Sequence, residues 1–167
     1  MPKSRRYASD NEPSARRWVF TINNPGISPT VDQHPLDPEW EIKCWDHHAS
    51  ILLAHAQPPK GTCLLSTPLG ELKFVSIALE SGEQKGTKHF QGYFICKRNR
   101  TLRFLKKLKG FARAHFEIMA GSIADNDTYL AKDKDKDFYR IYNCGNKPTD
   151  GEARTPGWVE NFLSQIS

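Results

Sequence analysis

The chain has 167 residues, with 24 Lys and Arg against 19 Asp and Glu for a net charge of +5, and a sequence pI near 9.0. At this length one domain with short tails is the simplest organisation, and the modest basic excess fits an anionic partner such as nucleic acid. No apolar run approaches the roughly 20 residues of a membrane-spanning helix, and no apolar segment follows the basic N-terminus, so neither a membrane protein nor a secretory precursor is expected.

Residues 1–16 are polar and carry Lys3, Arg5, Arg6 and Arg16 without apolar periodicity, the pattern of a flexible basic tail. Such a tail serves as an arm on phosphates, as a nuclear-import signal, or as plain solvated chain. Trp18 to Ile22 is a strand, stopped by Asn23-Asn24-Pro25-Gly26. Its period of two puts Trp18, Phe20 and Ile22 on one face and Val19, Thr21 and Asn23 on the other. Prolines break residues 27–67 into pieces, between which residues 38–56 have helical content, with Asp37 available as cap. Cys44, His47 and His48 in that helix suggest zinc, but a fourth ligand at a usual spacing is missing, and helix-face residues are the competing account. Cys44, Cys63, Cys96 and Cys144 are far apart and form no C-x-x-C, as expected of reduced thiols in an intracellular protein.

Residues 72–80 form the next strand, apolar on both faces until Glu80 closes it beside Phe74, Ser76 and Ala78. The Gly-rich, charged segment 81–88 suits a hairpin loop, and its spacing does not match a phosphate-binding loop. In the strand 88–96, His89 and Gln91 share one face and Phe90 and Phe94 the other. If the two strands are antiparallel neighbours, a carboxylate, an imidazole and an amide oxygen come together and can hold a cation. Glu83 and Glu117 are rivals to Glu80 for the carboxylate. Residues 98–109 place Leu102, Leu105 and Leu108 on one side of a basic amphipathic helix, capped by Asn99 or Thr101 and ended by Gly110. Its Lys and Arg residues form either a nucleic-acid contact or a solvated face. A strand over 114–119 follows. Ser122 or Asp125 then caps a helix to about Asp133, with Tyr129 and Lys132 three apart on one face. In isolation such a Tyr is a packing residue; beside an amine it is chemically useful. Residues 138–142 read as a last short strand, 145–156 as a turn-rich linker, and 158–166 as the start of another helix. The sum is an α+β domain over 17–145: a central antiparallel sheet of about five strands with helices mainly on one face, ferredoxin-like or RRM-like.

Three of these segments carry a resemblance. Phe20-Thr21-Ile22-Asn23-Asn24-Pro25, His89-Phe90-Gln91-Gly92 and Tyr129-Leu130-Ala131-Lys132 are similar, in order, to motifs I, II and III of the HUH endonuclease domain of replication initiator (Rep) proteins from circular single-stranded DNA viruses, circovirus-like. The likeness runs from Arg17 to Gly145, and residues 112–121 also look like the family segment before motif III. It departs from the pattern in a longer segment between Asn24 and Leu72, and in Gln91 where other HUH proteins have a second His.

The resemblance implies a metal-dependent enzyme that nicks and rejoins single-stranded DNA at a stem-loop origin to start rolling-circle replication. Tyr129 would be the nucleophile with Lys132 beside it. Glu80, His89 and Gln91 would hold Mn2+ or Mg2+, with Arg17, Thr21, Asn23 and Asn24 on the DNA. It further implies the host cell nucleus as location, an oligomer in the full-length protein, and a helicase domain beyond 146–167 that this chain lacks. The chemistry is coherent: a phenol of pKa about 10 must lose its proton to attack phosphorus, and the phosphate charge must be offset. Two rivals are a non-catalytic single-strand-binding module on an RRM-like sheet and a structural subunit that assembles through the C-terminal segment.

Overall fold

Alternation of large apolar and smaller polar side chains drives the first strand, β1 (Ser14–Asn23), whose Trp18, Phe20 and Ile22 are all buried. The structure is a computed structural model that describes residues 12–26, 38–56, 70–82 and 87–149. After β1 come α1 (Trp40–Leu53), β2 (Leu72–Ser81), β3 (Lys88–Thr101), α2 (Leu102–Lys106), β4 (His115–Ile118), α3 (Ile123–Leu130) and β5 (Arg140–Gly145). The strands make one five-stranded sheet in the order β4-β1-β3-β2-β5, every neighbouring pair antiparallel. Up to β4 this is the split βαβ arrangement of the ferredoxin-like fold, and β5 extends it on the β2 edge. The expected α+β class and five-stranded antiparallel sheet are therefore present.

Each face of the sheet has its own core. On one, Trp18, Phe20, Ile22, Phe90 and Phe94 pack under α1, through Trp45, Ala49 and Leu52, and under α2, through Leu105. Phe111 fills the space between, edge-on to Phe20 at 5.1 Å between ring centroids. On the other face a smaller cluster of Phe74, Ala78, Tyr93 and Ile95 meets Ile123 and Leu130 of α3. Two helices thus cover the face that carries Phe90 and Phe94, and the third lies across the face that carries Glu80, His89 and Gln91.

Local departures from the sequence expectation have local causes. β1 begins at Ser14, inside the segment expected to be tail, because Ser14 and Ala15 still pair with Thr101 and Arg100. That pairing keeps β3 extended to Thr101, so the helix expected over 98–109 shrinks to Leu102–Lys106, with the Thr101 side chain accepting from the Phe104 amide. Between Ile95 and Arg100, residues Cys96–Asn99 stand against the single Arg16, a bulge that pushes Lys97, Arg98 and Asn99 into solvent. The last strand starts at Arg140 rather than 138 because Lys136–Tyr139 closes a turn, with the Tyr139 amide donating to the Lys136 carbonyl. Cys44, Cys96 and Cys144 are free thiols, and burial pushes Cys96 up to about 12. Asp37, Cys63, Glu83, most of the basic tail and the helix expected at 158–166 lie outside the described residues.

Candidate active site

The β2–β3 ladder sets Glu80 directly opposite His89, with Gln91 two residues along on the same face. Glu80 is 2% exposed. A buried carboxylate needs partners, and Oε2 has two: His89 Nε2 at 2.9 Å and Lys132 Nζ at 3.1 Å. Burial drives the Glu80 carboxyl upward, but the hydrogen bonds from His89 and Lys132 outweigh it and leave the group below the ordinary carboxylate range. Oε1 is buried with no hydrogen-bond partner among the described residues. From β1, Thr21 donates its hydroxyl to Gln91 Oε1 at 2.8 Å, and Asn23 pairs with His89 across the ladder.

Gly92 continues the motif for a steric reason. A Cβ there would lie 2.6 Å from both Phe20 Cζ and the Ser76 carbonyl oxygen, so no other residue lets β1 and β2 close so tightly around the middle of β3. At the end of β1 the chain turns through Asn24, at φ 49°, and Gly26, at φ 77°. The Arg113 guanidinium holds that turn by donating to the Asn23 and Asn24 carbonyls at 3.3 and 3.2 Å.

The other half of the site arrives on α3, which starts on a full capping box. The Asp125 amide donates to Ser122 Oγ, and the Ser122 amide donates back to Asp125 Oδ2. Tyr129, at the other end of the helix, is 52% exposed. Lys132 lies just past the helix in the turn that follows, not on the helix itself. It still reaches its expected neighbour: its ammonium sits 4.0 Å from the Tyr129 ring centroid while it touches Glu80. Burial lowers the Lys132 pKa, yet hydrogen bonding to Tyr129 and Glu80 prevails and holds it above the ordinary amine value. A single cation thus joins the aromatic hydroxyl side of the site to the acid, the imidazole and the strand that bears the amide.

The remaining expected residues divide. Thr21 and Asn23 are on the site face beside Gln91 and His89. Arg17 instead reaches sideways, donating to the Gly121 carbonyl at 2.8 Å and to Met119 Sδ at 3.2 Å, so it fastens the β4–α3 connection. Glu117 is not a competitor for Glu80: it pairs with His115 on the exposed edge strand. The zinc idea for α1 fails on His48, whose Nδ1 accepts from the Gly26 amide at 2.9 Å while Nε2 donates to the Gly110 carbonyl at 3.0 Å.

Comparison with known proteins matches the sequence to a family. Residues 60–133 match the family model described as "Putative viral replication protein". Over 149 residues, 89% of this chain, the replication-associated protein of Beak and feather disease virus is 34% identical; that of Canary circovirus is 46% identical over 122 residues, 73% of the chain. The chain belongs to the circovirus-like replication-associated proteins. These matches span 38% and 30% of the two relatives, so this Rep chain corresponds to about a third of their length.

Within this Rep chain one contact near the candidate site escapes a sequence reading. The buried Tyr93 donates its hydroxyl to Asp127 Oδ1 at 2.6 Å, and Lys147 pairs with Asp127 Oδ2, so α3 is tied to the sheet two residues before Tyr129. Tyr93 does share the alternating face of His89 and Gln91, which is the only trace of this role in the sequence. Among the described residues no helix is long and apolar enough to cross a membrane.

Proposed function

We propose that this chain is the DNA-nicking and -joining part of a viral replication initiator, acting on a single strand at a stem-loop origin in the host nucleus. The observation that supports it most is the position of Lys132, between the exposed Tyr129 ring and the buried Glu80 that also holds His89.

In this reading the Tyr129 oxygen forms a bond to the scissile phosphorus as the bond to the 3′-oxygen breaks and that oxygen takes a proton from solvent, giving a 5′-phosphotyrosine and a free 3′-hydroxyl. The phenolic proton leaves to solvent or to a base other than Lys132, whose raised pKa keeps it a cation. Lys132 therefore stabilises the phenolate or the phosphate and does not accept the proton. Attack by another 3′-hydroxyl reverses the step and joins ends without ATP.

Glu80, His89 and Gln91 fit a divalent cation. Among the described residues Glu80 Oε1 is buried without a hydrogen-bond partner, the Gln91 oxygen has a lone pair beyond the one taken by Thr21, and the His89 ring, on passing its proton from Nε2 to Nδ1, would turn the Nε2 lone pair to the ion in place of Glu80. An imidazole among oxygen ligands leans toward Mn2+ while admitting Mg2+. When bound, such an ion supplies positive charge to a phosphate oxygen.

The test is a panel of stem-loop oligonucleotides with Mn2+ or Mg2+. A protein–DNA band that survives denaturation is expected from the wild type and none from Tyr129→Phe, which should retain most of its DNA binding. A wild type that binds strands across a varied panel, yet never forms the band, would instead identify a binding module.

A further inference from the structure

Glu80 already holds a cation, and that cation belongs to the chain. Lys132 Nζ lies 3.1 Å from Glu80 Oε2, the same oxygen that accepts from His89 Nε2 at 2.9 Å. A buried carboxylate with one ammonium against it is balanced in charge. A divalent ion taken up by Glu80 adds two positive charges beside that ammonium, and at a few ångströms like charges oppose each other strongly.

The ammonium is free to leave, whereas the backbone that carries it is fixed. In the turn that closes α3 the Lys132 amide donates to the Tyr129 carbonyl at 3.3 Å. The Lys132 side chain is 40% exposed against 3% for that of Glu80, and its four-carbon stem is flexible. A destination is at hand, because the same ammonium is 4.0 Å from the Tyr129 ring centroid. His89 and Gln91, by contrast, are held on the paired strand β3.

We infer that Lys132 is a built-in competitor for the divalent ion: it occupies Glu80 until the ion takes its place, and the exchange frees the ammonium for the Tyr129 oxygen and the phosphate of a bound strand. The inference rests on the metal trio and the nicking reaction proposed above, and links the two through one residue. Because coupling between binding events is reciprocal, a phosphate that draws Lys132 off Glu80 tightens the ion, and the ion tightens the strand. The sign sets this role apart from others. A lysine that only binds phosphate leaves ion affinity unchanged when it is removed, and one that only supports Glu80 lowers it. Loss of a competitor raises it.

The test is Mn2+ binding to the full chain without DNA, read as loss of the free-ion paramagnetic resonance. Lys132→Met removes the charge and offers only a thioether, a poor ligand for a hard ion. It should bind Mn2+ about tenfold more tightly than the wild type, while Lys132→Arg, which keeps a cation at Glu80, should stay within about threefold of it. Without the ion Lys132→Met should melt below the wild type in one cooperative transition, and saturating Mn2+ should raise its Tm by more than it raises that of the wild type. If Lys132→Met does not fold, Lys132→Gln, which keeps a hydrogen bond to Glu80 without the charge, takes its place. With Tyr129→Phe in both proteins, a cut-site strand should tighten Mn2+ less when Lys132 is also replaced; an equal gain overturns the release of the ammonium. Unchanged or weaker Mn2+ binding by the folded variant overturns the inference and leaves the metal trio standing. Mn2+ binding that survives Glu80→Gln, or that is missing from wild type and variant alike, overturns the metal trio and the inference together.

Discussion

Single residues set the geometry of this site through what they exclude as much as through what they bind. Gly92→Ala must push its methyl group into Phe20 and the Ser76 carbonyl, so a loss of about 1–3 kcal/mol is expected, read as a lower denaturant midpoint. Lys132→Gln keeps much of the volume but removes the cation shared by Glu80 and Tyr129. We expect kcat for strand cleavage to fall about 100-fold with KM little changed, since that charge matters most when the phenolate and the extra phosphate charge develop. That Glu80, His89 and Gln91 would share one face of neighbouring strands was legible in the sequence from strand alternation, whereas Tyr129 was singled out by motif order. For Arg17 the structure adds a contact that no pattern along the chain announces: its guanidinium donates to the Gly121 carbonyl. Tyr93 looked like core, and it is core, at 1% exposed; only its hydroxyl has a second task.

At the level of elements, α3 is short and depends on its ends. Ser122→Ala removes one half of the capping box and should cost about 1 kcal/mol in stability. Tyr93→Phe removes the hydrogen bond to Asp127 inside a packed cluster, with a similar cost of about 1 kcal/mol. The two changes should differ in kinetics. Both weaken the helix, but Tyr93→Phe loosens its seat on the sheet, so kcat for cleavage should drop while binding of uncleaved strand stays near wild type. Equal kcat in the two variants would show that Asp127 has no positioning role. All five strands were legible as alternating or doubly buried runs, but their ends were not: β1 begins at Ser14 rather than Trp18, β3 runs on to Thr101 rather than Cys96, and β5 spans Arg140–Gly145 rather than 138–142. The extent of the helix over 98–109 was not legible either, because leucines at three-residue steps also fit a strand end followed by one helical turn, and pairing of Ser14 and Ala15 with Thr101 and Arg100 decided the matter.

For the molecule as a whole, His48 ties α1 to the Gly26 turn after β1 and to the Gly110 turn after α2. Burial chiefly, and then the charges of Arg113 and His47, lower its pKa below the ordinary 6.5, against the opposing pull of the Gly110 carbonyl. The folded protein therefore resists protonation that the unfolded chain accepts. This contribution to stability is complete above about pH 6.5 and is lost as pH falls through the depressed folded value. The melting temperature should decline as pH drops from neutral toward the folded value. His48→Gln should start lower and lose that part of the decline. A wild-type profile flat over this range would contradict the neutral bridge.

The inequality of the two cores has a kinetic corollary. Two buried apolar side chains, Ile123 and Leu130, and the Asp127 bond to Tyr93 seat α3 in the thinner cluster, whereas β1 and β3 are sealed under α1, α2 and the Phe111 stack. Native-state amide exchange should accordingly be graded through the molecule, fastest at α3 and slowest in the central strands. Tyr129 then rides on the segment that detaches first, and in the proposed reaction excursions of that segment would let a covalently attached strand swing away and return without the scaffold melting.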